Sequence, residues 1–421
     1  MEPSTTPETK ENAENASDAG IEAVGFTVDD SPPSPTLLLP PAAIVASASP
    51  ALLPIIEVHD LDWAAIRVAT NPAALRVRMR LIVERMETLL DSETGLAMLF
   101  DVDRVHADDR AIHVKALQDG ADALWIIGDL HGDLLTLETA LAQIRSYACS
   151  DEGTGGALPR IVLLGDLFDD EGFGLEVLLR VFELILAMPG QICVVAGNHD
   201  EALAYDGARF SSTVSPSDFS DFLNANLAHE WIVRAGKLAV RLFAIAPRAL
   251  FMPDGLLIAH GGFPLADLHG ELESTGNWNN PACLSDFIWA RAHPKARKKM
   301  PNRHSRGSQF GYEDFADFCA VSTRMGRPVT HMVRGHDHVE ARYATYPAYA
   351  SHPLLTTVAL SRRLPREQFG PYERAPTIAR VVSHCLPQVY QLHIPFSLIH
   401  EIYPPAAAED DATETAKGDF L

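Results

Sequence analysis

Residues 123–133 read ALWIIGDLHGD, a short apolar run that ends in the polar residues Asp129 and His131. A run of this length, rich in Ile and Leu and closed by glycine, predicts a buried β-strand followed by a tight turn. The pattern of Leu134–Ile144 predicts that a helix follows the turn. Because open α/β sheets place their ligands at the carboxyl ends of strands, Asp129 and His131 are candidate site residues.

The same arrangement, an apolar run closed by a polar turn, recurs four more times along the chain. The runs and the residues that follow them are Ile161–Leu164 with Gly165-Asp166, Ile192–Val195 with Gly197-Asn198-His199-Asp200, Leu256–Ala259 with His260-Gly261-Gly262, and His331–Val333 with Arg334-Gly335-His336-Asp337-His338. Since each run predicts a buried strand, the sequence predicts five strand ends that carry Asp, Asn or His side chains.

Further apolar segments extend this pattern towards the C-terminus. A helix is predicted at Leu175–Met188, and strands at Leu238–Phe251, Thr356–Leu360, Ile378–Val382 and Val389–Ile394. Together these elements predict an α/β fold, a two-sheet β-sandwich flanked by helices, which occupies residues 119–403 as one large domain.

The segments that flank this domain differ from it in composition. Residues 1–55 and 404–421 are rich in Ser, Thr, Pro, Ala and acidic residues without a sustained period, which predicts disordered tails. Residues 56–118 are predicted to form a small helical N-terminal extension. Its clearest element is a helix that begins after the N-cap Asn71, with Pro72 at its first position, and continues to Asp91.

Composition excludes several classes of protein. The chain has 421 residues and 34 Lys+Arg against 56 Asp+Glu, a net charge of −22, which disfavours a broad nucleic-acid surface. A hydrophobic fraction of 47% excludes wholesale disorder. The five cysteines form no CxxC pair, which excludes a thiolate zinc knuckle and fits a reducing compartment. Without a basic signal region or an unbroken apolar span, the sequence predicts a cytoplasmic protein with no membrane partner.

The polar residues at the five strand ends are metal donors. A lone Asp-x-His is more often a turn carboxylate beside a hydrogen-bonded histidine than a metal site. Five such turns in one domain are a far stronger signal. They supply only imidazole, carboxylate and amide donors and no sulfur, the set that divalent Mn, Fe or Zn accepts. The sequence therefore predicts a dinuclear metal site.

These five motifs, in this order between Ala123 and His338, resemble those of the calcineurin-like metallophosphoesterases. Gly-Asp-Leu-His-Gly at 128–132, His-Gly-Gly at 260–262 and Arg-Gly-His at 334–336 are most similar to the Ser/Thr phosphoprotein phosphatase (PPP) branch. The resemblance implies a hydrolase of phosphate monoesters, with two divalent metal ions (Mn, Fe or Zn) and a phosphorylated protein or small phosphoester as substrate. A nucleotide phosphohydrolase resembling diadenosine tetraphosphatase is the alternative enzyme, and a catalytically silent binding module is the alternative from another class.

The resemblance also implies the metal ligands, which come from all five motifs: Asp129 and His131 for the first metal, Asp166 for both, and Asn198, His260 and His336 for the second. His338 matches a histidine of the general superfamily that the PPP branch usually lacks. It would either reach the first metal or stand as a solvent-facing histidine at a strand end.

The implied chemistry is in-line attack by metal-bound hydroxide, because two adjacent cations lower the pKa of a shared water. The departing alkoxide needs a proton, and His199, beside Asn198, is placed to supply it. Asp169 would hydrogen-bond that imidazole and fix its tautomer. Its other interpretation is a carboxylate at a helix N-terminus.

Substrate binding is where the chain departs from the PPP branch. That branch typically has a phosphate-gripping arginine directly after the residue matching Asp169, where this chain has Asp170 and then Glu171. Ala196 also replaces an arginine usual before Gly-Asn-His. The dense basic run 291–306 could overhang the metals or form a solvated loop, and Arg306 in it is the candidate substrate-binding residue.

Overall fold

The computed structural model describes residues 53–92, 102–103, 106, 108–114, 124–149, 159–297, 300–301, 307–382 and 384–405, all within the unit Ala46–Leu421. The predicted tails 1–55 and 404–421 lie outside these residues except for 53–55 and 404–405. No helix in these ranges is long and apolar enough to cross a lipid bilayer.

The strands of the described residues are β1 (Ile55–Val58), β2 (Val102–Asp103), β3 (Ala111–Val114), β4 (Leu124–Ile127), β5 (Arg160–Leu163), β6 (Ile192–Val194), β7 (Leu203–Tyr205), β8 (Phe210–Ser212), β9 (Ala249–Phe251), β10 (Leu256–Ala259), β11 (Arg291–Ala292), β12 (Met300–Pro301), β13 (Ser308–Phe310), β14 (His331–Arg334), β15 (Tyr343–Thr345), β16 (Leu354–Thr357), β17 (Thr377–Val381) and β18 (Gln388–Leu392). The helices are α1 (Trp63–Ala69), α2 (Pro72–Asp91), α3 (Leu134–Ala148), α4 (Gly174–Ala187), α5 (Asn198–Ala202), α6 (Asp218–Ala225), α7 (Glu230–Ile245), α8 (Ala266–Thr275), α9 (Pro281–Trp289), α10 (Tyr312–Arg324) and α11 (Phe396–Ile402).

Two large sheets form the body of the domain. The first has the strand order β1-β18-β17-β4-β5-β6, and the second β15-β16-β14-β10-β9-β3-β2. Strands β4, β5 and β6 are parallel, as are β10, β14 and β16, so that the turns after them lie at one edge of each sheet. A bridge between Asp129 and Val358 joins the two sheets at that edge.

Side chains of strand β10 show why the sheets stack. Leu256 and Ile258 pack into the cluster shared with the first sheet, whereas Leu257 and Ala259 pack into a second cluster with residues of α9 and α10. This alternation is the two-residue period of a strand buried on both faces. The predicted sandwich of two sheets flanked by helices is therefore confirmed.

The segment 56–118, predicted as a helical extension, contains the predicted helix and also strands. Helix α2 begins at Pro72 after Asn71, whose side chain accepts a hydrogen bond from Ala73 N at 3.0 Å, and it ends at Asp91. However, β1 pairs in parallel with β18, and β3 pairs with β9. This part of the chain therefore contributes to both sheets.

One strand prediction is wrong over most of its length. The segment Leu238–Phe251 was expected to be extended, but α7 continues to Ile245 and only Ala249–Phe251 forms a strand. The buried residues of α7 include Ala235, Leu238 and Leu242, spaced three and four apart, which is helical periodicity. Because many of the intervening residues are also apolar, the sequence does not show this period clearly.

Candidate active site

All five polar turns meet at one edge of the sandwich. Two groups made of predicted metal ligands have their ligand atoms within 4.8 Å of one another: Asp129, His131 and His338 in the first, and Asp166, His260 and His336 in the second. By the same distance, His131 also forms a group with Asp170 and His199. Asn198 and His199 lie beside them at the start of α5, and both line the same cleft of about 470 Å³. The structure thus brings together the predicted metal ligands from five separate turns.

The first group is built around Asp129. His338 Nε2 lies 3.1 Å from Asp129 Oδ2, and its side chain is only 11% exposed, so the structure places His338 in the site and not in solvent. The backbone N–H of His336 donates to the same carboxylate at 3.0 Å. His131 Nδ1 lies 3.2 Å from the carbonyl oxygen of Phe168, and its Nε2 atom lies on the side of Asp166.

The Asp166 carboxylate lies between the two groups. Its Oδ2 atom is 3.6 Å from His131 Nε2 and 3.3 Å from His260 Nε2. His260 Nε2 also lies 3.1 Å from both Asn198 Oδ1 and His336 Nδ1, while its Nδ1 is 2.9 Å from the carbonyl oxygen of Leu164. One carboxylate oxygen therefore faces an imidazole of each group, the position required of a bridging ligand.

The turns that hold these side chains are unusual in their backbone. Six non-glycine residues around the site have left-handed φ angles between +37° and +72°: His131, Asp166, Asp169, Asp170, Glu171 and His336. Such conformations cost of order 1–3 kcal/mol each and persist only where the surrounding structure enforces them, typically at functional sites. The Asp200 carboxylate helps to enforce them by accepting hydrogen bonds from the N–H groups of Asp166, Leu167 and Gly197.

The charges of the cluster fit divalent cations. Burial disfavours ionised Asp166, but His260 and His199 outweigh it and hold the pKa of Asp166 well below its usual range. Burial also opposes the charging of His260, yet Asp166 and Asp129 raise its pKa to about 9. The buried carboxylates around His260 thus carry the negative charge that a divalent cation would neutralise.

His336 adds a second sign that the residues fit metal ions. Burial and the nearby Arg291 lower the pKa of His336 well below its usual value, so its imidazole is neutral. Its Nε2 atom is buried without a hydrogen-bond partner among the described residues. A neutral imidazole with an unpaired nitrogen, beside carboxylate and amide oxygens, is the donor set that Mn, Fe or Zn accepts.

Next to the metal candidates, His199 and Asp169 form a hydrogen-bonded pair. His199 Nδ1 lies 2.7 Å from Asp169 Oδ2, and Asp169 Oδ1 accepts from Phe219 N in the first turn of α6. One carboxylate oxygen of Asp169 thus contacts the imidazole of His199, and the other accepts a hydrogen bond at the N-terminus of a helix, α6. Although burial opposes it, Asp166 and Asp169 raise the pKa of His199.

Among the described residues that line the cleft, the basic side chains besides histidine are arginines. Arg306, the predicted substrate-binding residue, lies outside the described residues. From the same basic run, Arg291 lines the cleft and donates to the carbonyl oxygen of His336 at 2.8 Å, whereas Arg297 pairs with Asp317 at 2.8 Å. Sequence analysis missed Arg366, which pairs with Asp170 across the cleft floor at 2.9 Å.

Two residues of the site, Arg366 and Asp200, were not among the predicted site residues, although each lies near a predicted strand end. Arg366 follows the predicted strand Thr356–Leu360, as Arg362 and Arg363 do. Its position after a strand end is therefore a signal in the sequence, because ligands bind at the carboxyl ends of strands. Asp200 stands directly after a predicted site histidine in the turn Gly-Asn-His-Asp. No local pattern marks either one as a contact of the other turns.

Comparisons with known proteins agree with this geometry. A family model described as calcineurin-like phosphoesterase matches residues 123–340, just over half of the 421 residues. The serine/threonine-protein phosphatase 6 catalytic subunit of Caenorhabditis elegans is 22% identical over 221 residues, which cover 51% of this chain and 58% of that protein. The chain thus matches less than two thirds of the length of this relative.

A solved structure gives the corresponding result for the fold. It is a protein serine/threonine phosphatase from Saccharomyces cerevisiae with similarity to human phosphatase PP5, and it aligns with a TM-score of 0.50 and 14% identity. The alignment covers 75% of this chain and 90% of that one. Both relatives are serine/threonine phosphatases, in agreement with the resemblance to the PPP branch. The chain belongs to the calcineurin-like phosphoesterase family, whose members are hydrolases acting on phosphoric ester bonds.

Proposed function

We propose that this chain is a dinuclear-metal-dependent phosphomonoesterase that acts on phosphorylated serine and threonine in proteins. The observation that carries the proposal is the position of Asp166, whose Oδ2 atom faces His131 of one ligand group and His260 of the other. A single carboxylate shared by two groups of N and O donors supports two metal ions bound side by side.

The proposed ligands are the residues of the two groups, together with Asn198 beside them. The first ion would be held by Asp129, His131, Asp166 and His338, and the second by Asp166, Asn198, His260 and His336. When bound, two divalent ions lower the pKa of water and neutralise the charge of the phosphoryl oxygens. The carbonyl oxygens of Phe168 and Leu164 fix the orientation of His131 and His260, as outer partners of metal-binding histidines do.

His199 is the proposed general acid. Its Nδ1 atom is occupied by Asp169 at 2.7 Å, so Nε2 is the nitrogen that can carry a proton towards the cleft. A serine or threonine alkoxide is a poor leaving group, and a positioned acid assists its departure. Asp169 is held in turn by Phe219 N at 2.9 Å, which fixes the imidazole in one orientation.

A nucleotide phosphohydrolase remains the second candidate. The observation that favours it is the composition of the cleft floor, where the carboxylate of Asp170 stands beside His131 and where His338 contacts Asp129. Asp170 departs from the PPP branch, which typically has an arginine there, and His338 matches a histidine of the general superfamily.

A comparison of substrates separates the two candidates. We expect the Mn²⁺-loaded full chain to hydrolyse a phosphoserine peptide with a kcat/KM about tenfold or more above that for diadenosine tetraphosphate, a difference of about 1.4 kcal/mol in barrier. The opposite preference would support the nucleotide hydrolase. If p-nitrophenyl phosphate, the peptide and the dinucleotide all remain intact with Mn²⁺ bound, the chain is a binding module.

A further inference from the structure

The cleft floor is crowded with carboxylates, although its proposed substrate is an anion. Asp129, Asp166, Asp169 and Asp170 are all buried there. A phosphate group entering such a floor needs a cation close to the reacting end. The arginines that line the cleft in the described part of the chain are Arg291, Arg366 and Arg374.

Of these three, Arg366 is the one that reaches the histidines of the floor. Its Nη2 atom lies 2.9 Å from Asp170 Oδ2 and 3.1 Å from His131 Nε2, and its Nη1 atom lies 3.4 Å from His199 Nε2. Arg291 is instead directed to the carbonyl oxygen of His336, and Arg374 donates to the carbonyl oxygen of Phe369. The Arg366 guanidinium therefore lies between a proposed metal ligand and the proposed general acid.

The backbone around Arg366 is fixed on both sides. Before it, Ser361 N donates to the buried Asp133 carboxylate at 2.7 Å, and Arg362 Nη2 donates to the carbonyl oxygen of Asp170 at 2.9 Å. After it, Glu367 accepts from the buried Arg342 at 2.9 Å. The loop is thus anchored, while the Arg366 side chain itself is 36% exposed.

We propose that Arg366 binds the phosphoryl group of the substrate and that Asp170 positions its guanidinium for this contact. The inference rests on the phosphoesterase function proposed above. A guanidinium offers five N–H donors in a planar fork, so it can stay in its ion pair with Asp170 while it turns N–H groups to phosphate oxygens. Arg366, in the loop after β16, would then supply the positive charge that an arginine at position 170 would otherwise provide.

Binding of inorganic phosphate to the Mn²⁺-loaded full chain, measured by calorimetry, tests the role of Arg366 without turnover. We expect Arg366→Gln to weaken this binding by about 10- to 100-fold, the range for hydrogen bonds to a charged group. Arg366→Lys should recover part of the loss because it keeps the charge but not the fork. Arg324→Gln, which removes an exposed arginine paired with Glu273, is the matched control and should bind as wild type does.

Unchanged phosphate binding by Arg366→Gln, with Mn²⁺ content and thermal unfolding as in wild type, would overturn the inference. That result leaves the phosphoesterase function standing if the wild type still turns over phosphomonoesters. Conversely, loss of phosphate binding in Arg366→Gln, together with a wild type that hydrolyses nothing, would retain the phosphate site and reject the enzyme.

The positioning role of Asp170 has its own test. We expect Asp170→Asn to weaken phosphate binding in the wild-type chain and to cause no further loss in Arg366→Gln, because it acts through that arginine. An equal loss in both backgrounds would show that Asp170 does not act through Arg366. Tighter binding in Asp170→Asn would show that the carboxylate only repels phosphate.

Discussion

Replacing Asp166 with asparagine should lower kcat/KM for p-nitrophenyl phosphate by about a thousandfold or more, because the carboxylate proposed to bind both metals is lost. Asparagine has nearly the same shape and can keep the hydrogen bond that Asp166 Oδ1 accepts from His199 N at 2.9 Å. The group that changes is therefore the one facing His131 and His260. Steady-state hydrolysis at saturating Mn²⁺ measures the effect.

Asp221→Asn is the matched control for this change. Asp221 is exposed on α6 and is not a member of either ligand group. Its replacement by asparagine removes one negative charge, as Asp166→Asn does. It should retain wild-type activity, and both variants should unfold in a cooperative thermal transition. Substantial activity in a well-folded Asp166→Asn protein would contradict the assignment of Asp166 as the shared ligand.

Substitution of His199 should have an effect that depends on the leaving group. We expect His199→Ala to reduce kcat for a phosphoserine peptide by about 10²- to 10⁴-fold, the usual contribution of a general acid. The loss for p-nitrophenyl phosphate should be much smaller, because p-nitrophenolate departs without a proton. Asp169→Asn, which removes the charge beside His199 Nδ1, should shift both rates in the same direction by less.

The comparison is internal to each variant, so it does not depend on how much active protein is present. His229→Ala, an exposed histidine before α7, is the control and should leave both rates unchanged. Equal losses for the two substrates in His199→Ala would mean that His199 does not protonate the leaving group.

The strand ends could be predicted from the sequence because each carries its information locally. Strands β4, β5 and β10 are short buried runs, and the residues that follow them form turns with polar side chains. By contrast, most of the four residues of β1 are not buried, and its partner β18 lies more than 300 residues later in the sequence. Nothing in the sequence of β1 indicates that it pairs with β18, so its position in the sheet could not be predicted from the sequence.

A similar limit applies to the cleft. That the candidate ligands lie close together was predictable, because the carboxyl ends of parallel strands must meet at one edge of a sheet. The ion pair of Arg366 with Asp170 was not predictable, because Asp170 comes from a different turn far earlier in the chain. Periodic patterns in the sequence predict helices and strands, but they do not predict which distant residue a side chain in a loop will contact.

The number of metal ions bound per chain tests the central claim most directly. Equilibrium dialysis of the full chain against Mn²⁺, followed by elemental analysis, should find two tightly bound ions per chain, since Asp166 lies between two groups of ligands. In the same measurement, Asp221→Asn should also bind two ions and Asp166→Asn should bind fewer. A wild-type protein that binds one ion or none would contradict the dinuclear site.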